Sequence, residues 1–192
     1  MIYSISGKLL IKGLNTAVID TGAVAYEVFI SAATYRSLPT TGHQANLFTH
    51  FVMREDAVAL YGFATLEEKN LFLLLLSISK IGPKLALSIL SAMEPTKFMN
   101  AVVTNDAGLI ATIPGIGKKS AERIIVELKD KFGQIAQQAG QTAVAGSSED
   151  VVSALTNLGY SRNDCQKAVN KIYKPEADFE ELFRLALKEL SQ

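Results

Sequence analysis

Hydrophobic and polar positions follow three rhythms along the chain. Up to about residue 63 they alternate. Val24, Tyr26, Val28 and Ile30 interleave with Ala23, Ala25, Glu27 and Phe29, the two-residue period of a half-buried strand. Residues 17–20 lead into that run through Thr21-Gly22, a hairpin pattern. Ile2, Ile5, Leu9 and Ile11 surround Gly7 in a first strand, Leu38-Pro39-Thr40-Thr41-Gly42 makes a turn, and residues 45–51 and 57–61 give a further strand pair. Five or six short strands in a segment of about sixty residues predict a small barrel, with the OB-fold as the best candidate.

From residue 64 the period lengthens to that of a helix. Thr65-Leu66-Glu67-Glu68 fits a capping box, with Thr65 as N-cap and Glu68 at the third helical position. This helix is expected to run to about Ser79. Pro83 fits the first position of the next helix, where its missing N–H costs nothing. Pro95 opens a linking helix to Val103, and Asn105 or Asp106 caps a short one that ends before Pro114. The last helix begins at Lys118 and is expected to end near Lys131, before Gly133.

Within this helical stretch one unit occurs twice. Residues 78–86 read ISKIGPKLA and residues 113–121 read IPGIGKKSA. Ile81 falls on Ile116, Gly82 on Gly117, Lys84 on Lys119 and Ala86 on Ala121. The stripe Ala86, Ile89, Leu90, Met93 falls on Ala121, Ile124, Ile125, Leu128, a 3-4-3 spacing expected on the buried side of a helix. A third rhythm follows. Residues 134–147 are rich in Gln, Ala, Gly and Ser and read as a flexible linker. Residues 148–192 carry three short helical patterns separated by Gly159-Tyr160 and Lys174-Pro175. The expected architecture is a multidomain α+β chain: a barrel over 1–63, a helical domain over 64–133, a linker over 134–147 and a three-helix bundle over 148–192.

Composition narrows the chemistry. Nineteen basic and nineteen acidic residues cancel, so overall charge does not mark a nucleic-acid binder. Residues 64–134 hold nine basic and seven acidic residues, whereas 135–192 hold six basic and eight acidic, so the small positive excess falls on the repeated unit. Cys165 is the only cysteine, which excludes an internal disulfide, a CxxC pair and a cysteine-ligated cluster. His43 and His50 have no partner at metal-ligand spacing. No cofactor is expected. The longest apolar run, Leu71 to Leu76, is too short to span a bilayer. With strand residues directly after Met1 and no signal-peptide pattern, a soluble, cytoplasmic protein is expected.

The repeated unit carries the candidate chemistry. The first turn of a helix leaves backbone N–H groups unpaired and sits at the positive end of the macrodipole. Glycine in the preceding turn lets an anion approach the main chain. Lysine adds charge without reading a base. Such a site grips nucleic-acid backbone without sequence preference. A single copy reads better as an ordinary tight helix–helix turn; two copies in register favour phosphate. Arg123 lies four residues after Lys119, but Glu122 and Glu127 share its helix, so Lys118 and Lys119 carry more weight. Arg54-Glu55-Asp56 sits between the last two strands, either as a solvated hairpin tip or as a negative point that would repel phosphates.

The doublet resembles tandem helix-hairpin-helix motifs, which bind DNA backbone through the minor groove. Their pattern is hydrophobic-x-Gly-hydrophobic-Gly. Ile113, Gly115, Ile116 and Gly117 comply, whereas the first copy has Lys80 in place of the leading glycine. Leu-x-x-Leu-Gly-Tyr, with Ala168 nine residues past the glycine, resembles a ubiquitin-associated-like bundle. The whole order of domains, together with FTHFVMREDAVALYGF (48–63), IGPKLALSIL (81–90) and IPGIGKKSAERIIVELKDKF (113–132), resembles the RuvA family.

That resemblance implies a homotetramer, one or two per junction, binding four-way (Holliday) DNA junctions for recombination and repair. It implies the RuvB ATPase as motor partner and the RuvC resolvase in a larger complex. Lys80, Gly82, Pro83 and Lys84 would serve the first DNA grip, and Gly115, Gly117, Lys118, Lys119 and Arg123 the second. Glu55 and Asp56 match the family's acidic pin. The bundle would dock the motor, with Leu155, Leu158, Tyr160 and Ile172 as candidate contacts. The chain has no P-loop of its own, so ATP hydrolysis is expected in the partner. Two alternatives are a glycosylase-type helix-hairpin-helix enzyme and a protein-only adaptor. The first lacks an acidic residue about twenty positions after the hairpin, since residues 135–146 contain no Asp or Glu. The second leaves the repeated glycine–lysine helix starts without a purpose.

Overall fold

The structure, a computed structural model, describes residues 2–53, 58–142, 148–173 and 179–190. Two compact units divide it: Met1–Leu76 with Ile81–Glu94, and Ser77–Lys80 with Pro95–Gln192.

The first unit is built on a closed barrel of five strands: β1 (Ser4–Lys12), β2 (Thr16–Asp20), β3 (Ala25–Ile30), β4 (Gln44–Met53) and β5 (Val58–Phe63). β1 pairs antiparallel with β2 and β4, β2 with β3, and β4 with β5. The parallel pairing of Phe29 with Tyr61 and Ile30 with Gly62 joins β3 to β5 and closes the barrel. Closure leaves no open sheet edge, and alternation sends Leu9, Ile19, Val28 and Leu47 into a fully buried interior. A Cβ on Gly7 would lie 2.1 Å from the carbonyl oxygen of Asp20, so only glycine lets β1 approach β2 there. Val24, expected in the inward set, is exposed. It belongs to the turn before β3, where its carbonyl accepts from the Thr21 amide at 3.0 Å.

Three helices complete this unit: α1 (Ala32–Ser37), α2 (Leu66–Leu76) and α3 (Pro83–Ala92). Helix α1 was not legible in the sequence. Ser31 is its N-cap, accepting from the Thr34 amide at 3.0 Å. Helix α2 begins as expected, with the Glu68 amide donating to Thr65 Oγ1 at 3.2 Å, and stops at Leu76 rather than Ser79. Its Phe72 caps the barrel, 4.8 Å from the Phe63 ring, 5.1 Å from Tyr61 and 5.8 Å from His50.

The second unit contains α4 (Pro95–Val103), α5 (Ala107–Ala111), α6 (Lys118–Thr142), α7 (Ser148–Asn157), α8 (Arg162–Ile172) and α9 (Phe179–Glu189). Asp106 is the cap of α5, accepting from the Leu109 amide at 2.8 Å. Asn105 instead takes a left-handed turn, φ 59°, which asparagine tolerates better than most residues. Helix α6 corrects the sequence reading: it continues past Gly133 to Thr142. Gln and Ala are good helix formers, and an interior glycine costs only about 1 kcal/mol. Residues 134–142, expected to be linker, are therefore helical. Helices α7–α9 form the bundle around Val151, Val152, Leu155, Val169, Leu182 and Ala186.

Candidate nucleic-acid interface

The two repeated units have the same local conformation. Each runs from a turn through two extended residues into a helix, at 77–85 and again at 112–120. Ile78 and Ile113, then Ile81 and Ile116, anchor the turns as buried residues. The Ala86 amide bonds the Gly82 carbonyl at 3.0 Å and the Ala121 amide bonds the Gly117 carbonyl at 2.9 Å. All eight positions of the paired apolar stripes are buried. The stripe thus fixes one side of α3 and α6 and leaves the start of each helix facing outward.

What faces outward is suited to an anion. Gly82 is the N-cap of α3 and offers no side-chain cap. A Cβ on Gly82 or Gly117 would meet nothing within 4 Å, and neither has a positive φ. Neither packing nor backbone conformation requires glycine there. Its effect is to keep the helix start open to an approaching group. Neither α3 nor α6 has an acidic residue in its first turn, whereas α2 carries Glu67 and Glu68 and α7 carries Glu149 and Asp150. The positive helix end is therefore left uncompensated at these two places, and exposed Lys84, Lys118 and Lys119 add to it.

The departure in the first copy has a conformational consequence. Gly115 sits at φ 88° and Lys80, its equivalent, at φ 61°. Lysine occupies a left-handed position that costs about 1–2 kcal/mol for a residue with a Cβ. Its side chain is exposed.

Arg123 is placed differently from the lysines. It is half-buried and pairs with Glu127 at 3.6 Å, and Glu127 also accepts from the Ser79 amide at 2.9 Å. The guanidinium thus belongs to an i, i+4 pair rather than to the lysine face. Glu55 and Asp56 lie outside the described residues. Met53 and Val58 on either side of that segment pair across β4 and β5, and both are exposed.

The bundle positions need correction. Leu155, Leu158 and Tyr160 are buried and fill the core instead of forming a docking surface. Ile172 is half-buried, and it is the neighbouring Tyr173 that is exposed. The Tyr160 hydroxyl is buried without a hydrogen-bond partner among the described residues, and burial raises its pKa. Burial also pushes the Cys165 thiol up to about 11, which makes it a poor nucleophile. Among the described residues no group of three or more His, Cys, Asp or Glu side chains could hold a metal ion. No helix there is long and apolar enough to cross a membrane.

A closed barrel followed by two lysine-bearing helix starts on glycine turns defines a tandem helix-hairpin-helix protein. Comparison with known proteins makes this specific. Family models match for the RuvA N terminal domain (residues 1–62), a SAM-like helix-hairpin-helix tandem (72–130) and the RuvA C-terminal domain (146–191). The chain belongs to the RuvA family. It is 43% identical over 195 residues to a protein of Acidobacterium capsulatum, covering 98% of each chain. It is 41% identical over 202 residues to one of Shewanella denitrificans, covering 99% of this chain and 100% of that one. A relative from Desulforamulus reducens is 40% identical over 198 residues, covering 100% of this chain and 98% of its own. All three are named Holliday junction branch migration complex subunit RuvA.

Proposed function

We propose that this protein binds four-way DNA junctions as the structural subunit of a branch migration complex and recruits a RuvB-type ATPase as the motor. The observation that carries the reading is the twin helix start: open glycine, exposed lysine and no acidic residue, in the same local conformation twice. Each start grips a phosphate, and the names of the full-length relatives supply the junction. Lys84, Lys118 and Lys119 provide the charge, Gly82, Pro83, Gly115 and Gly117 the close approach, and Lys80 an accessory contact. Arg123 holds Glu127, whose other carboxylate oxygen accepts from the Ser79 amide in the first turn.

In this reading the working form is a cytoplasmic homotetramer. Exposed Leu10, Ile11 and Leu14, at the end of β1 and in the turn after it, support contact between copies, since grouped apolar residues on a surface mark interaction sites. Several weak phosphate sites on one assembly add by multivalency, which reconciles DNA binding with zero net charge. Glu55 and Asp56 act as the acidic pin at the crossover. Residues 1–63, 64–133 and 148–192 act as barrel, DNA grip and motor-docking domain. The chain itself is not catalytic and needs no cofactor, and RuvC joins as resolvase.

The test is a competition gel shift between an immobile four-way junction and a linear duplex of matched length, at two salt concentrations. Strong preference for the junction is expected. Equal, salt-sensitive binding to both would keep the phosphate grips and remove the junction. No binding to either would favour a protein-only adaptor.

A further inference from the structure

Glu68 is a buried carboxylate, 4% exposed, in the first turn of α2. The Thr65 hydroxyl meets the Glu68 amide, but the carboxylate reaches across the unit. One oxygen accepts from the Ser31 hydroxyl. The other accepts from the Thr34 hydroxyl at 2.6 Å and from the Ala64 amide at 3.3 Å. Ser31 and Thr34 are fully buried. Ser31 Oγ also accepts from the Thr34 amide, and Thr34 Oγ1 from the Ala64 amide at 3.0 Å. The network therefore joins the start of α1, the chain leaving β5 and the start of α2. Helix α1 makes a second attachment: the Ala32 amide donates to Ser91 Oγ on α3 at 3.0 Å. Both helices of the first hairpin are thus bonded to the N-terminal turn of a barrel helix.

A carboxylate suits this place for a specific reason. Three donors converge on it, and an ionised carboxylate is acceptor-only on both oxygens. Glutamine can keep its oxygen on the Thr34 hydroxyl and the Ala64 amide only by turning its NH2 group to Ser31 Oγ, which leaves the buried Ser31 hydroxyl proton without its acceptor. A charge this deep is costly unless its hydrogen bonds are made, so the network rewards one arrangement of α1, α2 and the exit of β5 over near alternatives.

We infer that Glu68 is a positioning residue for DNA binding: through Ser31 and Thr34 it fixes the angle at which the first hairpin presents Gly82 and Lys84 from the barrel. This rests on the reading of that hairpin as a phosphate grip. Loss of the network lets the hairpin rock, and a phosphate interaction that needs a backbone amide and a lysine together fails before the fold does.

The experiment measures junction affinity against salt for the full chain, with K84A, E68Q and the double variant, alongside thermal melting. K84A lowers the log–log salt slope by about 0.9 for each phosphate it no longer neutralises. E68Q is expected to lower it equally, and the double variant no further than K84A alone. A normal slope for E68Q beside a lowered slope for K84A overturns the positioning role and leaves the phosphate grip standing. A normal slope for K84A removes the grip, and the inference with it. If E68Q does not fold, T34V, which removes one of the three donors to the Glu68 carboxylate and keeps the side-chain volume, replaces it, with a reduced slope expected. A lower melting temperature with unchanged slope would assign the network to stability alone and likewise overturn the inference.

Discussion

Lys80 holds a backbone angle that its counterpart Gly115 holds freely. Replacing it with glycine should raise stability by about 1 kcal/mol, the left-handed penalty less the added freedom of the unfolded chain. A denaturant midpoint that stays put or falls would mean the turn is unstrained. The same variant should lower the salt slope of junction binding, because an exposed charge is removed. His50 concerns the barrel. Its Nδ1 is buried without a hydrogen-bond partner among the described residues, and both burial and the charge of Lys69 lower its pKa from the ordinary 6.5. Lys69 stays close by, its ammonium 3.9 Å from the centre of the Tyr3 ring. Because the folded state binds this proton less readily than the unfolded state, the contribution of His50 is complete above pH 6.5 and is lost as pH falls below it. Melting temperature should therefore fall as the pH drops below 6.5, and H50Q should flatten that part of the profile. An unchanged profile in H50Q would mean that other groups dominate. K69M should move the imidazole titration upward, which NMR can follow.

Among the elements, the helices of the repeated unit were the most legible. The 3-4-3 stripe needs only local spacing, and every position it named is buried. Helix α1 escaped because six residues are too few to show a period. The extension of α6 escaped because Gly133 resembles a stop signal, while the Gln- and Ala-rich run after it favours helix. Glu68 was half legible. Its spacing from Thr65 gave the capping box, but its carboxylate meets residues more than thirty positions earlier, and no local pattern reports such a pairing. In the bundle, Leu155, Leu158 and Tyr160 stood out by resemblance, and burial assigns them to the core. The phosphate grip of α6 itself is tested by K118A/K119A. This pair should weaken junction binding and reduce its salt slope by roughly 0.9 per phosphate no longer neutralised, whereas an unchanged slope would remove both lysines from the interface.

At the scale of the whole molecule, the proposed function assigns grip and docking to separate parts of the chain. Removing residues 148–192 should leave junction binding intact and abolish cooperation with the motor in a branch migration assay. Loss of junction binding would reassign the bundle. The open space in front of Gly82 and Gly117 has a genetic consequence. G82A and G117A place a methyl group where it meets no protein atom, at a cost limited to N-cap preference, about 1 kcal/mol or less. The double variant should fold, accumulate and mix freely with normal copies, yet block the approach of a phosphate. Produced in a cell beside the normal protein, it should enter shared assemblies and disable them, so that a single altered copy of the gene confers sensitivity to DNA damage.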